Sequence, residues 1–201
     1  MELPCAWWST SCRVTVTSSS TNVAEWAAVA MNDPTIRRAT PDDLVVLVDM
    51  YLAAQRWLAE IGSEQWANNT EEKTRTRLAD SIGCGTCWIA ELGGKPAGMI
   101  TIDDYADPEF WTAQDDPDSA LYVHRMVVDR LVGGNGIGGK LLDWADRLAS
   151  SLDRTWLRLD AWRTNAPLHA YYRRQGFVPV RIVNLSHRGS GALFQRRVRP
   201  S

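Results

Sequence analysis

An excess of charge of either sign is absent from this 201-residue chain: 22 lysines and arginines stand against 24 aspartates and glutamates, a net charge of -2. General nucleic-acid binding calls for a basic excess, so no such partner is expected. Long apolar runs are missing too. None approaches the roughly 18 residues that a membrane-spanning helix needs, so no membrane partner is expected. The N-terminus shows no basic start followed by an apolar core, which argues against a secretory signal. Histidine occurs three times and cysteine four times, and no segment repeats. Residues are plentiful where a core would need them: 45% are hydrophobic and ten are tryptophan. That is enough for one domain with a sizeable core.

The cysteines are Cys5, Cys12, Cys84 and Cys87. The pair in "CGTC" has the spacing of half a zinc site or a redox motif. It has no second well-spaced pair and no nearby histidine, so two reduced thiols at a strand entrance are expected, with no metal. So few cysteines do not make a disulfide scaffold, and a reducing cytoplasm fits.

Residues 1–33 form an N-terminal appendage expected to be poorly ordered, with a hydroxyl-rich "TVTSSSTN" and no convincing period. From Thr35 the text becomes orderly. "TIRRA" reads as a strand. Thr40 caps a helix, Pro41 takes its first position, and Asp42 and Asp43 suit its positive end. Its apolar residues recur at helical spacing to about Ile61, where Gly62 stops it. A second helix covers about Glu71 to Ser81. "CWIAEL", "GGK" and "PAGMITI" make a hairpin, an acidic loop follows, and "LYVHRMVV" is a strand. Next come a helix to about Ser150, the strand "TWLRLDA", the helix "APLHAYYRR" and two more strands. The class is α+β: over 34–201, a mixed, largely antiparallel sheet of six to seven strands with four helices.

"LVGGNGIGGKLLDWA", Leu131 to Ala145, holds five glycines within seven residues and opens a helix. Bare backbone at a helix N-terminus is suited to a phosphate-bearing ligand. Three classes write nearly this text. A P-loop would have a hydroxyl after Lys140 to bind magnesium, where this chain has Leu141. A dinucleotide fold would use Gly134, Gly136 and Gly139 with Asp160, but it turns straight off its strand and needs more chain after Asp160.

The third class is set by two local motifs. "GGNGIG" from Gly133 fits the glycines of [QR]-x-x-G-x-[GA], with Gly133 at the Gln/Arg position. "NAPLHAYYRRQGF" fits N-x-x-A-x-x-x-Y-x-x-x-G-F through Asn165, Tyr172, Gly176 and Phe177, with Leu168 at the alanine position. Over about Thr35 to Val198 the chain resembles the GNAT superfamily of N-acetyltransferases. The resemblance implies acetyl-CoA as donor, held by Met126, Val127 and Val128 on a strand edge and by Gly133, Gly134, Asn135, Gly136, Ile137, Gly138, Gly139 and Lys140, with Asn165 nearby. It also implies two parallel strands splayed apart, a backbone N–H of Val127 or Val128 that polarises the thioester carbonyl, and Tyr172 as the acid for the leaving thiolate.

The base is read from the strand. Tyr122, His124 and Met126 alternate onto one face, and His124 titrates in the useful range. His169 and His187 are weaker candidates. The acidic loop, Asp103 to Asp118, is either solvated or a lure for a cationic amine. Trp57, Trp66, Tyr105, Phe110 and Trp111 are candidates for an apolar acceptor wall. The expected activity is transfer of an acetyl group to a primary amine of a small molecule or peptide, by a monomer or homodimer. The alternative is a GNAT-fold module without acetyl transfer, such as a CoA-sensing regulator or a transferase using another acyl donor.

Overall fold

The computed structural model describes residues 33–199; the proposed appendage, with Cys5 and Cys12, lies almost wholly outside them. Strand β1 (Thr35–Arg38) leads into helix α1 (Leu44–Glu60) through a single 3-10 turn at Pro41–Asp43. The turn is held where the sequence puts its cap. The Thr40 N–H and hydroxyl both donate to Asp43 Oδ2, at 2.7 and 3.0 Å, and Arg37 clamps both oxygens of that carboxylate. The guanidinium, followed by the Thr40 bonds, holds the Asp43 carboxyl down at about 2. Helix α1 ends where Gly62 takes a φ of 74°.

Helix α2 (Glu71–Gly83) runs about half a turn past its expected end. The hairpin β2 (Cys87–Leu92) and β3 (Lys95–Asp103) follows, then two 3-10 turns in the acidic loop. Strand β4 (Ala120–Val128) feeds the glycine loop and helix α3 (Ile137–Ser151). Strand β5 (Trp156–Trp162), helix α4 (Ala166–Arg174), and strands β6 (Val178–Ile182) and β7 (Ser190–Arg197) complete the fold. Their sheet has seven strands in the order β1-β2-β3-β4-β5-β7-β6. Every neighbouring pair is antiparallel except β4 and β5. A dinucleotide fold would need a parallel sheet, so that alternative falls. The P-loop falls with it, because Leu141 is fully buried in the core.

Strand alternation sorts the core into layers. Ile100, Leu121, Leu157 and Leu159 pack with Leu141, Leu142 and Ala145 of α3 and Tyr172 of α4. On the opposite face Ile89, Met99 and Val127 meet Leu47, Val48 and Tyr51 of α1 and Leu78 of α2. A third cluster, Phe110, Trp111, Tyr122 and Leu193, seats the acidic loop.

Candidate active site

Strands β4 and β5 pair only from Ala120↔Trp156 to Val123↔Leu159. Beyond that point they part. A bulge marks the place: Thr101 pairs with His124 and Met99 with Val127, so Ile100 faces both Arg125 and Met126. Arg125 has a φ of 43°, a left-handed conformation that ordinary strand residues avoid. The Asp129 N–H donates to Ala97 O on β3, so strand alternation turns the amides of Val128 and Met126 toward the gap and that of Val127 toward β3. Of the two amides expected at the carbonyl, Val128 has the right direction.

The gap opens into a cavity of about 600 Å³. Val123 to Met126 form one wall, Leu159 to Trp162 the opposite wall, and Leu168 and Tyr172 of α4 close one end. Gln65, Trp66, Asn68 and Asn69 come from the loop before α2, Thr74 and Arg77 from α2 itself, 187–189 from the loop before β7, and Ser190 from the start of β7. Tyr172 is 8% exposed, and burial above all pushes its hydroxyl well above the usual phenol range. It is therefore protonated, as an acid must be. His124 lines the cavity with Nε2 3.1 Å from Asp103 Oδ1. Asp103 was legible only as part of an acidic run; the cross-strand pairing turns it into the partner of His124.

Several expected neighbours lie elsewhere. Tyr122 does not share the cavity with His124 and Met126: it sits before them on β4, buried with Phe110 and Trp111 under the acidic loop, and its hydroxyl donates to Pro117 O at 3.1 Å, whereas the bulge comes after His124. His169 bonds to Trp162 O at 2.8 Å, whereas His187 lines the cavity and meets Glu109 at 2.9 Å. Of the five aromatics proposed as a wall, only Trp66 lines the cavity. Phe110 and Trp111 are core residues, Tyr105 is exposed, and Trp57 stacks on the Arg130 guanidinium at 3.9 Å. The acidic loop is largely ion-paired: Asp115 with Arg181, and Asp107 and Glu109 with Arg188. None of its carboxylates lines the cavity.

The glycine loop divides into two functions. Gly134 and Gly136 have φ values of 88° and 74°, and a Cβ on either would meet nothing within 4 Å. Their backbone is open to a ligand. The first helical bond runs from Lys140 N to Gly136 O, so the amides of Ile137, Gly138 and Gly139 precede it. Gly133 lies beside Arg130 O, and the Asn135 amide donates back to Val132 O. Gly138 and Gly139 are bare for another reason, which corrects the expectation that all four glycines clear a path for phosphate. A Cβ on Gly138 would collide with the Tyr171 hydroxyl, and one on Gly139 would come within 3.1 Å of Gln175 Oε1. Both glycines let α4 approach α3. The Ile137 side chain is in the core, and Lys140 pairs with Asp33 at 2.8 Å.

Asn165 caps α4 by accepting from Leu168 N, and its amide donates to Gln65 Oε1 at 2.7 Å. It thus ties the cavity wall at Gln65 to α4. Gln65 is buried to 9% exposure, and nothing in the sequence pairs it with a residue a hundred positions away. Cys87 is buried, which pushes its thiol up to about 11, and no cluster among the described residues could hold a metal ion. No helix among them is long and apolar enough to cross a membrane.

A family model described as an acetyltransferase (GNAT) domain matches residues 83–179. The chain is 25% identical over 142 residues to YesJ of Bacillus subtilis, an uncharacterised N-acetyltransferase, covering 69% of this chain and 78% of that one. A GNAT-family acetyltransferase of Listeria monocytogenes superposes with a TM-score of 0.69 at 26% identity, covering 82% of this chain and 94% of that one. The PaiA N-acetyltransferase of Thermoplasma acidophilum, solved with coenzyme A, has the same fold, with a TM-score of 0.60 at 19% identity over 83% of this chain and 99% of that one. With its splayed strands, its glycine loop and these likenesses, the chain belongs to the GNAT superfamily of N-acetyltransferases and is an acyltransferase.

Proposed function

We propose that the protein transfers an acetyl group from acetyl-CoA to a primary amine, by direct attack while both substrates are bound. One observation carries this reading: β4 and β5 part after Val123↔Leu159, and Tyr172, His124 and a strand edge meet in the gap. The backbone of Gly134 and Gly136 and the early amides of α3 would hold the pyrophosphate. The β4 edge at Met126 and Val128 would pair with the amide-bearing arm, as a strand pairs with an added peptide.

The donor supplies an activated acyl thioester. His124, oriented by Asp103, takes the proton that the amine must lose to attack. The Val128 N–H stabilises the carbonyl oxygen as it gains charge. Tyr172 gives its proton to the departing sulfur and is reprotonated from solvent. One C–S bond breaks, one C–N bond forms, and the products are an N-acetyl amine and the free thiol.

The test is thiol release from acetyl-CoA across polyamines, aminoglycosides, amino acids and peptides, with His124→Gln alongside. Turnover with at least one amine, reduced roughly 10²-fold or more by the variant, is the expected result for loss of a general base. Unchanged turnover in the variant would remove His124 from the mechanism. No release with any amine would remove acetyl transfer to amines.

A further inference from the structure

The charged groups around the cavity are unevenly placed. On the β5 wall stands Asp160; no salt bridge engages it among the described residues. Elsewhere in the lining, on β4 and α2, stand Arg125 and Arg77. A third arginine, Arg188, is already engaged by Asp107 and Glu109. Neither Arg125 nor Arg77 has a carboxylate in salt-bridge range among the described residues.

Arg125 is the bulge residue, so the irregularity that parts the strands also sets this side chain. Its Nη2 donates to Ser81 Oγ at 2.7 Å, while its Nε is buried without a hydrogen-bond partner. Desolvation is the main influence on the guanidinium and lowers its pKa. Thr74 adds an independent sign. It is 4% exposed, lines the cavity, and its hydroxyl has no partner among the described residues. Thr74, Arg77 and Ser81 recur at the spacing of one face of α2. The acid whose charge reaches Arg125, Asp103, is bonded to His124 and stands outside salt-bridge range of both arginines, so two arginines and an unpartnered hydroxyl leave donors that an anion would satisfy.

We propose that Arg125, Thr74 and Arg77 form a carboxylate-binding subsite, so that the acceptor is an amino acid. The proposal rests on the acetyl-transfer reading and names its substrate class. A guanidinium presents a planar fork that matches a carboxylate. An amino acid brings both charges that the cavity lacks partners for: its carboxylate meets the Arg125 side, and its ammonium is drawn to the Asp160 side before it loses a proton. Polyamines, which carry only positive charge, would meet two unpaired arginines.

The test compares matched acceptors on the full-length protein: the common α-amino acids and their β- and γ-homologues, the corresponding carboxamides, and spermidine. Wild type should acetylate its best amino acid with a kcat/KM roughly 10²-fold above that of the carboxamide, the loss expected when a buried charged hydrogen bond is removed. Arg125→Gln should erase that preference, the amino-acid value falling much further than the carboxamide value. Thr74→Val and Arg77→Gln, which disturb no strand, should narrow the preference in the same direction and cover the case in which Arg125→Gln does not fold. A direct readout separates the subsite from the chemistry. Calorimetric titration with N-acetyl amino acids should show binding to wild type and at least tenfold weaker binding to Arg77→Gln. Equal losses for acid and amide, or a wild-type preference for spermidine or the carboxamides, would overturn the subsite. N-acetyl amino acids that bind through Arg77 and Arg125 with no turnover of any amine would instead sink the transferase reading and leave the subsite standing.

Discussion

Gly138 permits a sharp experiment, because its bareness can be assigned to a single contact. A Cβ added there would run into the Tyr171 hydroxyl, with Tyr171 Cζ at 3.4 Å and Val128 Cγ2 at 3.6 Å. The last two are ordinary van der Waals separations; the oxygen alone is the obstacle. That oxygen is buried and has no hydrogen-bond partner among the described residues. Gly138→Ala should therefore cost about 1–3 kcal/mol, the usual cost of overpacking a tight site. For a chain of this size that is a fall in Tm of roughly 3–10 °C. Tyr171→Phe removes an unsatisfied hydroxyl and should be neutral or stabilising by up to about 1 kcal/mol. Combined, the two changes should bring stability back to within about 0.5 kcal/mol of wild type, a coupling that independent sites do not show. Urea and thermal unfolding of all four proteins measure the cycle, and calorimetry with acetyl-CoA measures donor affinity beside it. Strict additivity would refute the collision. A loss of donor affinity in Gly138→Ala that Tyr171→Phe fails to relieve would return Gly138 to the phosphate path.

Tyr172→Phe keeps the ring in the core and removes the acid, so turnover should fall roughly 10²-fold or more while calorimetric donor affinity stays near wild type. Wild-type turnover in that variant would make solvent the proton source. Asp43→Asn should destabilise the fold by about 1–2 kcal/mol at neutral pH by breaking the clamp from Arg37 and Thr40. Because the folded carboxyl sits at about 2, below its ordinary 3.8, this stability is present above the ordinary value and fades as pH falls toward 2. Urea midpoints of variant and wild type should thus converge in acid; a gap that holds constant down to pH 2 counts against the ion pair.

Local chemistry was the legible part of this molecule. Thr40, Pro41 and Asp43 announced the start of α1 and Gly62 its end, because caps and breakers act within a few residues. The resemblance implied Tyr172 at the site, and helical geometry puts its neighbour Tyr171 on another face. What stayed hidden was set at long range. The acidic loop read as solvated or as a lure for cations, and not as ion-paired, because its partners, Arg181 and Arg188, come 66 to 81 residues later. Gln65 owes its place to Asn165, and His124 its partner to the register of β3 on β4. Arg125 was passed over because a simple alternation of faces cannot foresee a bulge. Thr74 and Arg77 lay on a helix whose cavity face only the packed sheet defines.

The parting of β4 and β5 has a consequence for the protein's dynamics. A sheet interior normally shields its amides from exchange with solvent, since each is locked to a neighbouring strand. Here the middle of the sheet contains a short edge, at Met126 and Val128, with the paired residues 120–123 before it. Folding alone leaves those amides open, so deuterium should enter them from the cavity well before it enters Leu121 or Val123. A donor arm laid along the edge would close the sheet from within. It would lengthen the protected stretch of β4 and raise the unfolding temperature in proportion to the logarithm of donor concentration.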